Sequence, residues 1–316
     1  MKGFDDFEIK GDPVWASKDG QYIFNSEPNR ILRSALKNNP MSGVTFSSFI
    51  RLLYKKRHSI DWWRYKHRIL GLLLMSVVNS FLSFVESAYV IYLFCFKDTR
   101  ESIIQAITDD QPPVFIIGHP RTGTTLLHNL LSLDDDRFTF ATTFTVGFPH
   151  SFLFFENIGK WLFRGILTET RPMDNMKLDF DLPQEDELGV NVLSGFEVSP
   201  YTSLIFMKEY KYYERYCCFR SDAVEKEDTK RWCYWFQYFV SKIKIRDMLK
   251  RSIEDRTKKK QPRRLLLKSP CHMGRIRLLL RLYPEAKFIF IHRDPFDVFM
   301  SKCKIRYFNF QCYNCE

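Results

Sequence analysis

Gly118, Arg121, Gly123, Thr124 and Thr125 fall within eight residues of one another, and together they can build an anion site. The run Gly118-His119-Pro120-Arg121-Thr122-Gly123-Thr124-Thr125 follows the β-branched stretch Val114–Ile117 and leads into a helical pattern, Thr124–Leu133. Two glycines with four residues between them at a strand-to-helix turn have the spacing of a phosphate loop. Such a loop turns successive backbone N–H groups toward an oxyanion, and the helix dipole adds positive potential. Gly123 lets the backbone approach the ligand closely. A nucleoside-triphosphate loop carries Lys and then Ser/Thr after its second glycine. Here Thr124 takes the lysine position, and the cation, Arg121, lies inside the loop. That set can hold phosphate or sulfate oxygens without a Lys–Mg²⁺ pair. It argues against a phosphotransferase and calls for no metal.

The elements that must position this loop follow a regular order. Val114–Ile117 and Leu265–Leu267 are short apolar runs that read as buried strands, and Lys287–His292 reads as a third. Thr124–Leu133 and Met273–Leu282 read as helices between them, and a further helix opens at Asp294, with Asp294 as N-cap and Pro295 in its first turn. Strand–helix–strand–helix order implies parallel βαβ units and a three-layer α/β/α domain over 111–316. Residues 1–110 read as a helical N-terminal extension, with a short helix at Arg30–Lys37 and a long apolar one at Ile69–Phe96. Arg256–Arg264 reads as a solvated loop.

Composition narrows the ligand classes. The net charge of +11 suits nucleic acid, a membrane surface or a polyanionic small ligand. No aromatic-and-basic recognition motif is visible, so nucleic acid is not expected. Thirty Phe and fifteen Tyr supply more apolar surface than a core needs, which suits an apolar substrate or a membrane. The eight cysteines form no disulfide framework, and Cys312-x-x-Cys315 with Cys303 lacks a second pair at zinc spacing. A reducing compartment is expected.

Two motifs carry a family resemblance. PRTGTT (Pro120–Thr125) resembles the 5′-phosphosulfate loop of sulfotransferases that use 3′-phosphoadenosine-5′-phosphosulfate (PAPS), in a P-loop-like α/β fold. IHRDPFDVFMS (Ile291–Ser301) resembles their 3′-phosphate motif, with Arg293 ending a strand and Ser301 eight residues on, inside the next helix. RPMDNM (Arg171–Met176), PQEDE (Pro183–Glu187) and LKSPCHMGRIRLLL (Leu267–Leu280) are similar to a largely uncharacterised branch common in bacteria. The resemblance runs from about Arg51 to Arg306 and implies sulfuryl transfer from PAPS to a hydroxyl group.

The same resemblance implies roles. Thr122, Gly123, Thr124 and Thr125 would cradle the 5′-phosphosulfate, and Arg293 and Ser301 would hold the 3′-phosphate, Arg293 through a forked, permanently charged contact. Arg121 and Lys268 would stabilise the leaving oxygen. A lysine ending a strand at the loop's edge stands where ligands of open α/β sheets bind. The general base stays open between Glu185, Glu187 and His272. His119 and His128 are further histidines nearby; the first reads as shaping the turn and the second as packed. Relatives continue past the Arg…Ser helix, whereas this chain stops at Glu316. A shortened C-terminus is therefore expected, and with it, as an alternative, a catalytically impaired membrane-associated relative that still binds PAPS.

Ile69–Phe96 is the most apolar stretch. Its first 17 residues would reach ~26 Å as a helix, close to a bilayer core. Seven Lys/Arg lie between Arg51 and Arg68, so a span would leave the N-terminus in the cytoplasm, as in a type II Golgi protein. Yet Ser76, Asn79/Ser80, Ser83 and Glu86/Ser87 form one polar stripe, which a lipid-facing helix has no use for unless it packs on protein. The expectation is a helix lying on the cytoplasmic face of a membrane, with a single span and a plain core helix as the other readings.

Overall fold

The computed structural model describes residues 41–108, 111–163, 179–220, 222–254 and 262–303. The expected helix at Arg30–Lys37, the RPMDNM motif and the Cys312/Cys315 pair lie outside these residues, as does most of the expected loop at Arg256–Arg264.

Four strands form one parallel sheet in the order β2-β3-β1-β4. β1 (Val114–Gly118) is central because all five of its residues are buried, as a strand covered on both faces must be. β3 (Arg264–Lys268) pairs with it on one side, Ile116 opposite Lys268, and β4 (Lys287–Ile291) on the other, Gly118 opposite Ile291. β2 (Phe138–Thr139) pairs with the far edge of β3. This is the parallel α/β architecture expected from the sequence. The carboxyl ends of β1 and β3 therefore deliver the anion loop and Lys268 to the same edge. β4 is the outer strand among the described residues, and Phe290 on it is 60% exposed.

The helices α1 (Phe46–Lys55), α2 (Trp62–Cys95) and α3 (Lys97–Thr108) precede the sheet. α4 (Thr124–Leu131) follows the anion loop, then come α5 (Thr143–Gly147), α6 (Phe152–Leu162), α7 (Asp186–Leu193) and α8 (Tyr210–Glu214). α9 (Lys226–Glu254) is second in length only to α2 among the described helices, and α10 (Ile276–Leu282) joins β3 to β4. The helix predicted over Met273–Leu282 is shorter than expected: Pro270–Arg275 is 3₁₀, and only from Ile276 is it α-helical. Pro270 at the start of that turn removes a backbone donor, which favours the tighter winding. Residues 295–303 form α11, capped by Asp294 as expected: its Oδ1 accepts from Phe296 N at 2.8 Å and Asp297 N at 3.3 Å. The main core gathers Phe115, Phe144, Trp232, Phe236 and Phe239 between the sheet, α7 and α9.

α2 begins seven residues before the expected Ile69, because Asp61 caps it by accepting from Arg64 N at 3.0 Å. Its sidedness is inverted. Ser76, Asn79 and Glu86 are buried against the domain, while Leu74, Phe81, Phe84 and Ile91 point outward. Asn79 Nδ2 donates to Val44 O at 3.1 Å, and Ser80 Oγ accepts from Phe46 N at 2.8 Å. Glu86 Oε2 accepts from Leu153 N at 2.7 Å and Phe154 N at 3.4 Å, capping α6 from outside, and its other oxygen pairs with Lys242. Asn79, Ser80 and Glu86 of the polar stripe are thus satisfied by the rest of the protein. By length and composition α2 could cross a membrane, yet these contacts hold its inner face to the α/β domain from Asn79 to Glu86. The plain core-helix reading fails, because the outer face is solvent-exposed.

Candidate active site

The anion loop folds where its sequence requires. A Cβ on Gly118 would lie 2.7 Å from Ile291 O and 2.9 Å from Thr122 Oγ1, so only glycine lets β1 enter the loop this close to β4. Arg121 and Gly123 both take positive φ, 79° and 99°. Thr122 N and Oγ1 close the turn onto His119 O at 3.2 and 2.8 Å. His119 shapes the turn: its Nδ1 meets Pro120 O at 3.0 Å, and Lys302 on α11 meets its Nε2 at 3.1 Å. α4 then starts at Thr124 with Gly123 as its cap and no capping side chain. The first N–H groups of α4 therefore keep their bonding capacity for an anion.

The two phosphate motifs meet. Arg121 Nε donates to Ser301 Oγ at 2.9 Å, joining the loop to α11. Arg293 is 48% exposed and forks onto Asp297 Oδ2 at 3.2 and 3.1 Å. Any anion bound at Arg293 would compete with that carboxylate.

Lys268 is not a surface lysine. It ends β3 with its side chain 1% exposed, and Nζ reaches Glu185 Oε1 at 2.7 Å and Thr125 Oγ1 at 3.4 Å. The segment before α7 is fastened to the sheet side by Gln184 N donating to Ala141 O at 2.8 Å and by a bridge between Thr142 and Pro183. Glu185 is the cap residue, so its side chain leaves the helix toward the loop.

The next two acids turn inward. Asp186 is fully buried and pairs with His272 at 2.6 Å; burial alone would raise its pKa, but the His272 charge and hydrogen bond take it below the usual value. His272 has no exposed surface and packs edge-on against Phe115 and Phe236. Glu187 is equally buried. Arg275 forks onto it at 2.5 and 3.1 Å, Ser199 Oγ donates at 2.6 Å and Trp232 Nε1 at 3.2 Å. The structure brings Glu185, Lys268 and the loop threonines together. Glu187 and His272 sit in separate buried pairs behind them. His128, on α4, is buried, and desolvation and then the Lys268 charge push its pKa down to about 3, so it is neutral.

Sequence reasoning missed Tyr201. It lies in a 3₁₀ turn, Pro200–Leu204, and its hydroxyl donates to Glu185 Oε2 while lying 3.4 Å from Ser269 Oγ. Burial and then the Glu185 charge raise its pKa well above the ordinary value, so it stays a donor. One tyrosine among fifteen, sixteen residues after the acid it touches, carries no motif that could have marked it.

Comparison with known proteins identifies the family. The Sulfotransferase family model matches residues 112–184 and 206–316. Curated relatives from Mycobacterium bovis and Mycobacterium tuberculosis, each named omega-hydroxy-beta-dihydromenaquinone-9 sulfotransferase Stf3, are 34% identical over 259 residues. That alignment covers 82% of this chain, and the chain spans 59% of the length of those relatives. Among solved structures, sulfotransferase STF9 of Mycobacterium avium aligns with TM-score 0.41 at 18% identity, over 69% of this chain and 52% of that one. STF1 of Mycobacterium tuberculosis aligns with TM-score 0.42 at 16% identity, over 85% and 67%.

Proposed function

Since this chain belongs to the sulfotransferase family, we propose that it transfers a sulfuryl group from PAPS to a hydroxyl group of a lipid-like acceptor. The observation that carries the reading is the Lys268–Glu185 pair set beside Thr125 of the anion loop. A buried cation and a half-open carboxylate then face the same anion seat. The residues fit the group: the loop is glycine-bound at its entry, carries two positive-φ positions, and opens a helix whose N–H groups are free to bond.

PAPS supplies the activated sulfuryl group when bound. The backbone of Thr122–Thr125 would hold its 5′ end, with the hydroxyls of Thr124 and Thr125 completing the seat. Arg293 and Ser301 would take the 3′-phosphate. Glu185 would accept the proton of the acceptor hydroxyl as that oxygen attacks sulfur. Lys268, with Arg121, would neutralise charge growing on the bridging oxygen as the S–O bond breaks. Tyr201 holds the second carboxylate oxygen and would fix the orientation of Glu185. In this reading Glu187 and His272 serve the fold, because neither can reach a ligand without breaking a buried ion pair.

The acceptor class follows from the curated relatives, whose name specifies a hydroxylated menaquinone derivative. An apolar acceptor also fits the outward face of α2. We place that face on the surface of a membrane, on the cytoplasmic side, since the inner face is committed to protein along the helix. Carbonate washing of membranes should release at least part of the chain; full retention would mean a span.

Sulfuryl transfer is tested by incubating the chain with ³⁵S-labelled PAPS and a lipid extract. A labelled lipid that disappears with Glu185→Gln supports the reading. PAPS binding by calorimetry without any labelled product would identify an impaired relative instead.

A further inference from the structure

A cavity of about 510 Å³ lies on the flank of α2, and none of its lining residues belongs to the anion loop. Leu193 and Ser194 line it, at the opposite end of α7 from Glu185. Nine residues of helical path separate Ser194 from Glu185, ~13 Å at the helical rise.

Its lining combines two chemistries. Ser47 and Ser48 of α1, Ser80, Ser83 and Ser87 of α2, and Ser194 after α7 bring hydroxyls. Arg51 and Arg231 bring guanidinium groups from α1 and α9. His150 also lines the cavity, and its buried Nε2 has no hydrogen-bond partner. Buried polar atoms are seldom left unpaired, and a site holding one is a candidate for a ligand that supplies the partner. Around this polar interior the surface is apolar. Phe84, 71% exposed, belongs both to the cavity and to the outward face of α2, and Phe46, Ile50 and Tyr234 are exposed on the neighbouring helices.

The charge in the region is cationic in balance. Arg231 pairs with Glu197 and lies 3.7 Å from Asp228, and Lys55 shares Glu197 at 2.5 Å. Arg51 adds a further cation. Burial and then the charges of Arg231 and Arg51 hold the Lys55 pKa below its ordinary value, the response of a lysine in a positive field.

We propose that this cavity binds the headgroup of an anionic phospholipid, with the acyl chains lying over Phe84 and the outward face of α2. The phosphate would take Arg51 and the hydroxyls of Ser47, Ser48 and Ser83, since those of Ser80, Ser87 and Ser194 donate to backbone carbonyls, and the unpartnered His150 nitrogen would meet a headgroup hydroxyl. The apolar part of a lipid-like acceptor would waste these groups, since each would be desolvated without a partner. The site is therefore assigned to the membrane and not to the acceptor of the reaction. The inference rests on the reading that α2 lies on a membrane.

Flotation of the full chain with vesicles tests it. One set is phosphatidylcholine alone, and the other contains phosphatidylglycerol as well. The expected result is binding to both, with about a tenfold preference for the second. Ser47→Leu and Ser87→Leu line the cavity, are exposed, and leave the net charge unchanged. Each should abolish most of the preference while keeping binding to neutral vesicles. Arg51→Gln should do the same, whereas Arg57→Gln, an equal charge loss outside the cavity, should change the preference less than about twofold. Preference surviving all three cavity variants would overturn the proposal and leave only attraction by the basic run. No binding to neutral vesicles by the wild type would overturn the membrane placement of α2. Soluble glycerol phosphate binding as tightly as the vesicles, with the same loss in Arg51→Gln, would make the site one for a soluble anion and would overturn the lipid assignment. Thermal melts of the four variants check that each is folded.

Discussion

Two lysine–glutamate pairs, Lys268–Glu185 and Lys242–Glu86, have the same chemistry and opposite surroundings. Lys242 and Glu86 are each 5% exposed by side chain, and the pair is completed by the N–H groups of Leu153 and Phe154 and by Pro149 O. Burial and the partner's charge oppose each other there. Desolvation prevails in both, raising the Glu86 pKa and lowering that of Lys242. Lys268 is as buried as Lys242, but its partner Glu185 keeps a side chain 20% exposed and faces the anion loop. A buried pair closed on every side can only hold elements together. A pair whose carboxylate stays partly exposed beside an anion seat can exchange partners during a reaction. What separates structure from function here is the solvent access of one carboxylate.

The comparison breaks first on stability. Glu86→Ala leaves Lys242 buried and unpaired, so denaturant unfolding should show a loss of about 3–5 kcal/mol. A loss under ~1 kcal/mol would mean the pair is hydrated and the contrast false. At the other pair, Glu185→Gln and Lys268→Ala should each reduce sulfuryl transfer by about 10²–10³-fold with the fold retained. If either instead unfolds the protein while turnover per folded molecule stays normal, Lys268–Glu185 is a second structural pair.

A pH titration sharpens the picture. His128 is buried neutral, with a folded pKa of about 3 against 6.5 unfolded. The unfolded state binds the extra proton across that window, so stability is full above pH 6.5 and falls as pH drops toward 3. His128→Leu should flatten this slope by up to ~1.4 kcal/mol per pH unit, read from unfolding at successive pH values. The smallest effect is expected at Tyr201→Phe, which removes one hydrogen bond from Glu185. It should lower kcat about tenfold with the PAPS KM unchanged. A change in KM alone would place Tyr201 in binding and not in positioning.

Much of this was legible in the chain. The glycine spacing of the loop, the parallel strand order, the cap at Asp294 and the polar stripe of α2 are patterns of neighbouring residues, and each appears where it was expected. The stripe even contained its own explanation, since a polar line on an apolar helix requires protein against it. The pairing of Arg121 with Ser301 was less visible, because the two residues are 180 apart in sequence and meet only when the loop and α11 reach the same sheet edge.

The acidic run at Glu185–Glu187 divides what each level decides. The sequence by itself determined that three carboxylates would stand near an anion loop and a strand-ending lysine. It had no means of ranking them, because the three are chemically alike and adjacent. Successive residues at a helix start point about 100° apart. One therefore faces the loop, and the other two face the core, where a carboxylate persists only beside a cation. The partners here are His272 and Arg275, more than eighty residues later, carried there by the turn that follows β3. Only the tertiary structure, by burying two of the acids with their partners and keeping Glu185 partly exposed at the loop, singled out the one proposed to take a proton.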